Sequence, residues 1–225
     1  MSLELLSKAT KFDGNEASLR SLLDGLVSAD WRQALIARGY GGHVDVGAFS
    51  TPLTGGGAGT VIDQDQPEFA VSVASGYTLI PIRVHIAVLP GLQTTDSHEV
   101  EITLAADIAA AFAIGSGTMP AETIVNMRSN SAAPAGATAF SAGSVDITNP
   151  TLGLELGHVA QFVDVQGTAA TVNMYQLTLL YEPKNPPLIV GPACMYGYWG
   201  GSIACAGFAN IDFLVIPSSL ITGLS

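Results

Sequence analysis

A two-residue alternation of apolar and polar side chains dominates the sequence after residue 42. It is clearest over residues 77–89, where every second position from Ile80 onward is Ile or Val. Alternation with a period of two predicts a strand that buries one face. Because proline cannot donate a ladder hydrogen bond, Pro81 indicates an edge or a bulge in the first part of this strand. The residues expected on the buried face are Ile80, Ile82, Val84, Ile86 and Val88.

Turn signals divide the rest of the chain into further short strands. The 225 residues include 25 Gly and 12 Pro, many of them between apolar runs. About eight to ten strands with this punctuation predict an all-β, two-sheet sandwich, of which the jelly roll is the commonest eight-stranded form. No helical period alternates with the strands, which argues against a doubly wound α/β fold. The other predicted strands cover residues 68–74, 98–104, 123–128, 145–148, 152–156, 159–165, 172–181, 188–198 and 209–216.

Residues 1–42 follow a different pattern and are predicted to form a helical N-terminal arm ahead of one β-sandwich domain over 43–225. The second of two short helices is expected to have Asp30 as its N-cap and Gly39 as its left-handed end, and the glycines after it indicate a hinge. Short amphipathic helices must bury their apolar faces on the body or on a neighbouring subunit. The residues expected to anchor the arm are Leu19, Leu22, Leu26, Trp31 and Leu35.

Charge is scarce and unevenly placed. Charged residues make up 12% of the chain, with 19 Asp and Glu against 8 Lys and Arg and a net charge of −11. Typical soluble domains carry about 25% charged residues, so we expect this chain to bury much of its surface against a partner. After residue 40 the only bases are Arg83, Arg128 and Lys184. Nucleic-acid binding requires phosphate neutralisation, and these few bases argue against it.

The longest uncharged run covers residues 185–211. Prolines and glycines interrupt it, so buried strands and turns are predicted there rather than a membrane span. The N-terminus shows no basic region followed by an apolar stretch, and no secretory signal is expected. We therefore predict no membrane partner.

No recognised chemical motif emerges from the spacing of reactive residues. Residues 55–59 are Gly-rich but lack the Lys of a phosphate-binding loop, and we interpret them and the Ala/Ser/Gly-rich residues 129–143 as surface loops. No two histidines have the spacing of a metal site, and no Gly-x-Ser-x-Gly elbow occurs. We predict no catalytic residues, no metal site and no cofactor; a metal shared between subunits is the alternative. The four histidines are His43, His85, His98 and His158.

Two cysteines lie symmetrically about Trp199-Gly200. A hairpin turn at that point would place Cys194 opposite Cys205, where they form either a disulfide or, as we favour, two buried thiols.

Aromatic residues cluster in the same region. Alternation predicts that Tyr196 and Tyr198 share one face of their strand. Core packing is one reading of this cluster. The other is that Tyr196, Tyr198 and Trp199 form a symmetric subunit contact, because Tyr and Trp are enriched at interfaces.

Four segments carry a resemblance in layout, at residues 30–34, 76–84, 181–188 and 207–217. With them the sequence resembles the jelly-roll structural proteins of virus particles, especially the capsid decoration or cement subunits of tailed bacteriophages. The resemblance implies a homotrimeric β-sandwich anchored to a lattice by its N-terminal region. It supplies no catalytic residues.

These observations lead to one functional expectation. The protein is expected to be a non-enzymatic virion structural protein, a homotrimer that binds and stabilises a capsid lattice. Its expected partners are the major capsid protein and its own copies, and its expected location is the capsid surface after assembly in the host cytoplasm. The alternatives are a capsid-forming or vertex jelly-roll subunit, and a trimeric receptor- or carbohydrate-binding head of a fibre or tail.

Overall fold

The computed structural model describes residues 30–55, 62–90, 98–109, 112–115, 117–141, 146–148, 150–163, 176–201 and 205–221. The chain divides into two compact units, Met1–Ala34 and Leu35–Ser225. The second unit is a sandwich of two antiparallel sheets, which confirms the predicted all-β class. The elements are helix α1 (Trp31–Ala37) and strands β1 (Gly41–Val46), β2 (Leu53–Thr54), β3 (Phe69–Val73), β4 (Tyr77–Pro90), β5 (His98–Asp107), β6 (Ala121–Glu122), β7 (Val125–Asn126), β8 (Ala137–Ser141), β9 (Leu154–Val163), β10 (Leu177–Tyr181), β11 (Ile189–Val190), β12 (Ala193–Gly201) and β13 (Cys205–Pro217).

The eight principal strands pair as one long, nested antiparallel hairpin. Strand β1 pairs with β13, β3 with β12, β4 with β10, and β5 with β9. Rolling this hairpin brings β13 beside β4 and β12 beside β5. The first sheet therefore contains the order β10-β4-β13-β1 and the second sheet β3-β12-β5-β9, which is the strand order of a jelly roll.

The connection between β5 and β9 (the β5–β9 connection) adds three short strands to this framework. Strand β7 extends the first sheet beside β1, and β8 extends the second sheet beside β3, with β6 outside it. Strand β8 lies within residues 129–143, so the prediction of a surface loop there was wrong for Ala137–Ser141. Its backbone pairs with β3, a segment far away in the sequence, and local composition does not encode such a pairing.

A β-bulge corrects the predicted inward face of β4. Asp212 pairs with Arg83 and Phe213 with Pro81, so Ile82 is an extra residue on β4. An extra residue reverses the side-chain alternation. Ile80 and Ile82 consequently lie in a cluster on the outer face, while the rest of the predicted set points into the sandwich core. Pro81 had indicated an edge or a bulge, and the structure shows a bulge. The core side of β4 carries Leu79, Val84, Ile86 and Val88.

Strand β12 runs straight through Trp199-Gly200, so the predicted hairpin at this point was wrong. Its neighbours are β3 and β5, whereas β13 belongs to the other sheet. Close backbone packing favours glycine here, because a Cβ on Gly201 would lie 1.9 Å from the carbonyl oxygen of Glu99. The prediction that residues 185–211 form buried strands and turns is confirmed for β12 and the described start of β13, whereas Leu188 and Val190 are exposed.

Helix α1 ends as predicted, in a left-handed Gly39 with φ +86°. The predicted hinge after it is absent, because Gly41 and Gly42 begin β1 and are buried. A Cβ on Gly42 would lie 2.7 Å from ring carbons of Phe213, so the glycine permits close packing rather than motion. Asn126 donates a hydrogen bond to the Gly39 carbonyl oxygen at 2.8 Å and fixes the chain where it enters β1.

Candidate functional site

The outer face of the first sheet carries the main cluster of polar side chains outside the core. Strand register sets this arrangement, because cross-strand partners place their side chains on the same side of a sheet. His43 on β1 lies opposite Asp212 on β13, and Asp45 lies opposite Asn210. Asn210 in turn lies opposite His85 on β4. We call this surface, with Phe49 and Phe208 at one end, the open face.

Hydrogen bonds join these side chains into a network across the strands. His43 Nδ1 lies 2.6 Å from Asp212 Oδ1, and His43 Nε2 lies 3.1 Å from Asp45 Oδ1. Asn210 Nδ2 donates to the same Asp45 oxygen at 2.5 Å. His85 Nδ1 lies 3.5 Å from Asn210 Oδ1. The network therefore fixes the orientation of two carboxylates on an accessible surface.

The electrostatics of the network favour a charged His43. Burial lowers the pKa of this imidazole, but the hydrogen bonds and charges of Asp212 and Asp45 outweigh burial and raise the pKa above its usual 6.5. An imidazolium donates from both ring nitrogens, which matches a carboxylate on each side. Both nitrogens of His43 are therefore occupied, and the two carboxylates hold the ring in one orientation.

An exposed aromatic residue lies beside this network. Phe49 follows β1 in a tight turn, where Ala48 and Thr51 exchange backbone hydrogen bonds of 3.0 and 3.2 Å. The turn begins at Gly47, which has φ +66°. The Phe49 ring is 71% exposed and meets the edge of Phe208, with ring centroids 6.4 Å apart. A turn built around a positive-φ glycine thus holds an apolar ring in solvent.

The chain itself covers the part of the second sheet's outer face that carries Tyr196 and Tyr198, which we call the covered face. Tyr196 and Tyr198 share this face, as the alternation predicted, and both are buried. Phe112, from the β5–β9 connection, stacks on Phe140 with centroids 4.9 Å apart and lies 6.3 Å from Tyr196. The Tyr198 hydroxyl donates to the Gln64 carbonyl oxygen at 3.0 Å. Residues of the connection and of the segment before β3 therefore bury the two tyrosines.

This burial corrects the predicted subunit contact. Tyr196 is 3% exposed, while Tyr198 and Trp199 are each 1% exposed. Trp199 points into the sandwich core, where its backbone N–H donates to Glu68 Oε2 at 2.7 Å. Side chains buried in their own chain offer no surface to a neighbour, so core packing, the alternative reading, describes all three.

The described part of the predicted arm gives two different results. Trp31 is 44% exposed, and the guanidinium carbon of Arg32 lies 5.5 Å from its ring centroid. Leu35 instead packs against the Ile80 and Ile82 cluster of the sandwich, which covers that end of the first sheet. Leu35 thus makes an internal contact while part of its surface stays accessible, and its docking role stays a prediction. The predicted anchors Leu19, Leu22 and Leu26 lie outside the described residues.

Both cysteines are free and buried. Burial, with the nearby Glu68 carboxylate, raises the pKa of the Cys205 thiol to about 12, and burial also raises the pKa of Cys194. They lie in different clusters, Cys205 in the sandwich core and Cys194 beneath the covered face. Two buried thiols are therefore observed, as favoured from the sequence.

Other polar clusters among the described residues are smaller. His158 Nε2 lies 3.1 Å from Glu101 Oε2 on the second sheet. Within the described ranges, no group of three or more His, Cys, Asp or Glu side chains is arranged to hold a metal ion. The same ranges contain no helix that is long and apolar enough to cross a membrane.

The spacing of the histidines does not reveal the open face, because no two of them lie two residues apart on one strand. The useful signal was present in two strands. His43 and Asp45 are two residues apart, as are Asn210 and Asp212, so each pair lies on one face of its strand. That the two pairs face each other depends on β1 pairing with β13, which lies at the opposite end of the domain's sequence.

Comparison with protein families, with curated proteins and with solved structures found no match.

Proposed function

We propose that this protein is a non-enzymatic structural subunit of a virus particle, a homotrimer that binds and stabilises a capsid lattice. The observation that carries the proposal is the nested strand order of the two sheets, because jelly rolls of this order build many capsid proteins. A fold alone does not define a function, and the same order also occurs in lectin domains. The scarcity of charge gives separate support, since it suits a subunit that buries surface against neighbours.

The proposed mechanism is mass action. A subunit that binds only the assembled lattice stabilises it against disassembly by an amount set by its concentration relative to its dissociation constant. Trp31 is the described candidate for lattice contact, because it presents a large, half-exposed aromatic ring at the start of α1. Aromatic residues of this kind are frequent hot spots of protein interfaces.

The oligomeric state is the first test. Light scattering at several concentrations should give a mass near three times 23.1 kDa for the purified chain. A monomer at every concentration would contradict the homotrimer. Large, shell-like particles would instead support the alternative of a capsid-forming subunit.

Lattice binding is the second test. Trp31→Ala should reduce co-sedimentation with shells of the major capsid protein by about tenfold or more in affinity. Circular dichroism of the variant should stay that of the wild type, because Trp31 is half-exposed. Phe162→Ala is the matched control, since Phe162 is also exposed, at 65%, but lies on the second sheet. Unchanged co-sedimentation of the Trp31 variant would remove this residue from the docking surface.

A further inference from the structure

We propose that the open face is a binding site for a neutral saccharide, with Phe49 as the stacking platform and Asp45 and Asn210 as hydrogen-bonding partners. This activity goes beyond lattice binding and does not depend on it. It rests on the placement of an exposed aromatic ring beside a rigid array of carboxylate and amide groups.

The aromatic ring has the exposure that stacking requires. The C–H groups on one side of a pyranose ring are weakly positive and pack against the negative face of an aromatic ring. Phe49 is 71% exposed, and its contact with Phe208 is edge-to-face at 82°. Because the turn from Gly47 to Thr51 fixes the backbone, little backbone freedom remains to be lost on binding.

The polar groups are oriented before any ligand binds. Asp45 accepts hydrogen bonds from His43 and Asn210 through Oδ1 in both cases, so its Oδ2 can accept from a sugar hydroxyl. The Asp45 side chain is 60% exposed. A carboxylate held by two neighbours binds without the cost of ordering it, which is the usual design of a specific polar site.

The spacing of the two parts suits one sugar ring. Phe208 and Asn210 are two residues apart on β13, which separates their side chains by about 7 Å along the strand. The Phe49 and Phe208 rings meet edge-to-face with centroids 6.4 Å apart, and Asp45 lies opposite Asn210. A pyranose stacked on Phe49 can therefore direct its hydroxyls toward the Asp45 and Asn210 side chains.

The charges of the face determine the class of saccharide. Asp45 and Asp212 are balanced by His43, and Arg83 lies opposite Asp212 on β4. Among the described residues, no excess of positive charge faces the aromatic platform, whereas an acidic sugar needs a basic partner for its carboxylate. The site therefore fits neutral hexoses and N-acetylhexosamines rather than sialic or uronic acids.

The experiment is a screen of the intact protein on an array of neutral and acidic glycans, followed by saturation-transfer NMR with the best neutral glycoside. We expect binding to neutral glycans, and we expect Phe49→Ala to weaken it by about tenfold or more. Asp45→Asn should also weaken it, because the amide that replaces Oδ2 donates where the carboxylate accepts. Phe162→Ala should leave it unchanged, because that exposed phenylalanine lies away from the network.

Three results would overturn the proposal: no binding to any neutral glycan, binding that survives Phe49→Ala, or equal loss in Phe162→Ala. Co-sedimentation with capsid shells separates this proposal from lattice binding. Phe49→Ala should co-sediment like the wild type, so a failure of one proposal leaves the other intact.

Discussion

The outer face of each sheet carries a group of aromatic residues, and the two groups differ in exposure. On the second sheet, the β5–β9 connection and residues before β3 bury Tyr196 and Tyr198. On the first sheet, Leu35 and its neighbours cover one end, and the end with Phe49 and the His43 network is accessible. Each face carries aromatic residues, so the aromatic content of a strand does not distinguish core from surface. What distinguishes them is whether another part of the chain reaches the face.

Replacing one aromatic residue on each outer face with alanine should show this difference most clearly. Tyr198→Ala removes a buried ring and should lower the free energy of unfolding by about 3–5 kcal/mol. Phe49→Ala removes an exposed ring and should change it by less than about 0.5 kcal/mol. Urea denaturation followed by circular dichroism measures both. If the Tyr198 variant fails to fold, Tyr198→Phe tests the hydroxyl bond to Gln64, at about 1 kcal/mol.

Equally small changes in the free energy of unfolding for Tyr198→Ala and Phe49→Ala would contradict the comparison. They would mean that the β5–β9 connection does not keep the second sheet covered in solution.

Local pattern predicted most of the long strands and which of their residues share a face, but it missed β1 and β8 and divided β9 into two strands. Tyr196 and Tyr198 were predicted on one face, and they are. The pattern failed where a single backbone irregularity intervened. Pro81 signalled a bulge, but the sequence did not show that the extra residue at Ile82 would move Ile80 to the outside. Alternation therefore predicts the inward face of a strand only as far as the next bulge.

The state of each outer face was beyond local prediction for a different reason. Phe112 and Phe140 reach Tyr196 through a connection whose route depends on which strand edges are free to pair. The His43 network likewise depends on the register of β1 with β13. Pairings between distant segments are properties of the whole fold. The sequence therefore showed the polar pair on β1 and the polar pair on β13, but not that the two pairs lie side by side.

Replacing Asp107 should have the second largest effect on the free energy of unfolding, because Asp107 holds the segment that covers Tyr196 and Tyr198. Its carboxylate accepts backbone hydrogen bonds from Ala109 and Thr151, each at 2.9 Å, and so holds together the two ends of the β5–β9 connection. Asp107→Ala leaves both N–H groups without this acceptor and should cost about 2–3 kcal/mol. Asp45→Ala is the matched control on the open face and should cost less than about 1 kcal/mol.

Urea denaturation gives the cost of each aspartate deletion, and hydrogen exchange shows where the structure opens. We expect Asp107→Ala to speed exchange at Tyr196 and Tyr198, which the connection covers. If exchange becomes faster only at the two ends of the connection, then the other residues of the hydrophobic cluster keep Tyr196 and Tyr198 protected without Asp107.

The smallest predicted effect concerns pH and the open face. Pairing with Asp212 and Asp45 raises the pKa of His43 above its unfolded value of 6.5. The stability that this pairing contributes is therefore fully present below pH 6.5 and is lost as the pH rises through the higher, folded pKa. Because His43 is partly exposed, the effect should stay below about 1 kcal/mol.

Comparing urea midpoints at about pH 5.5 and about pH 8 for the wild type and His43→Gln measures this contribution, because histidine is the side chain whose ordinary pKa lies in this range. The wild type should lose more stability on going to the higher pH than the variant does. His158→Gln is the control, because His158 pairs with a single carboxylate, Glu101, on the second sheet. An NMR titration midpoint for His43 at or below 6.5 would show that its two carboxylates do not hold the imidazolium in solution. The open face would then lack the rigid Asp45 on which saccharide binding depends.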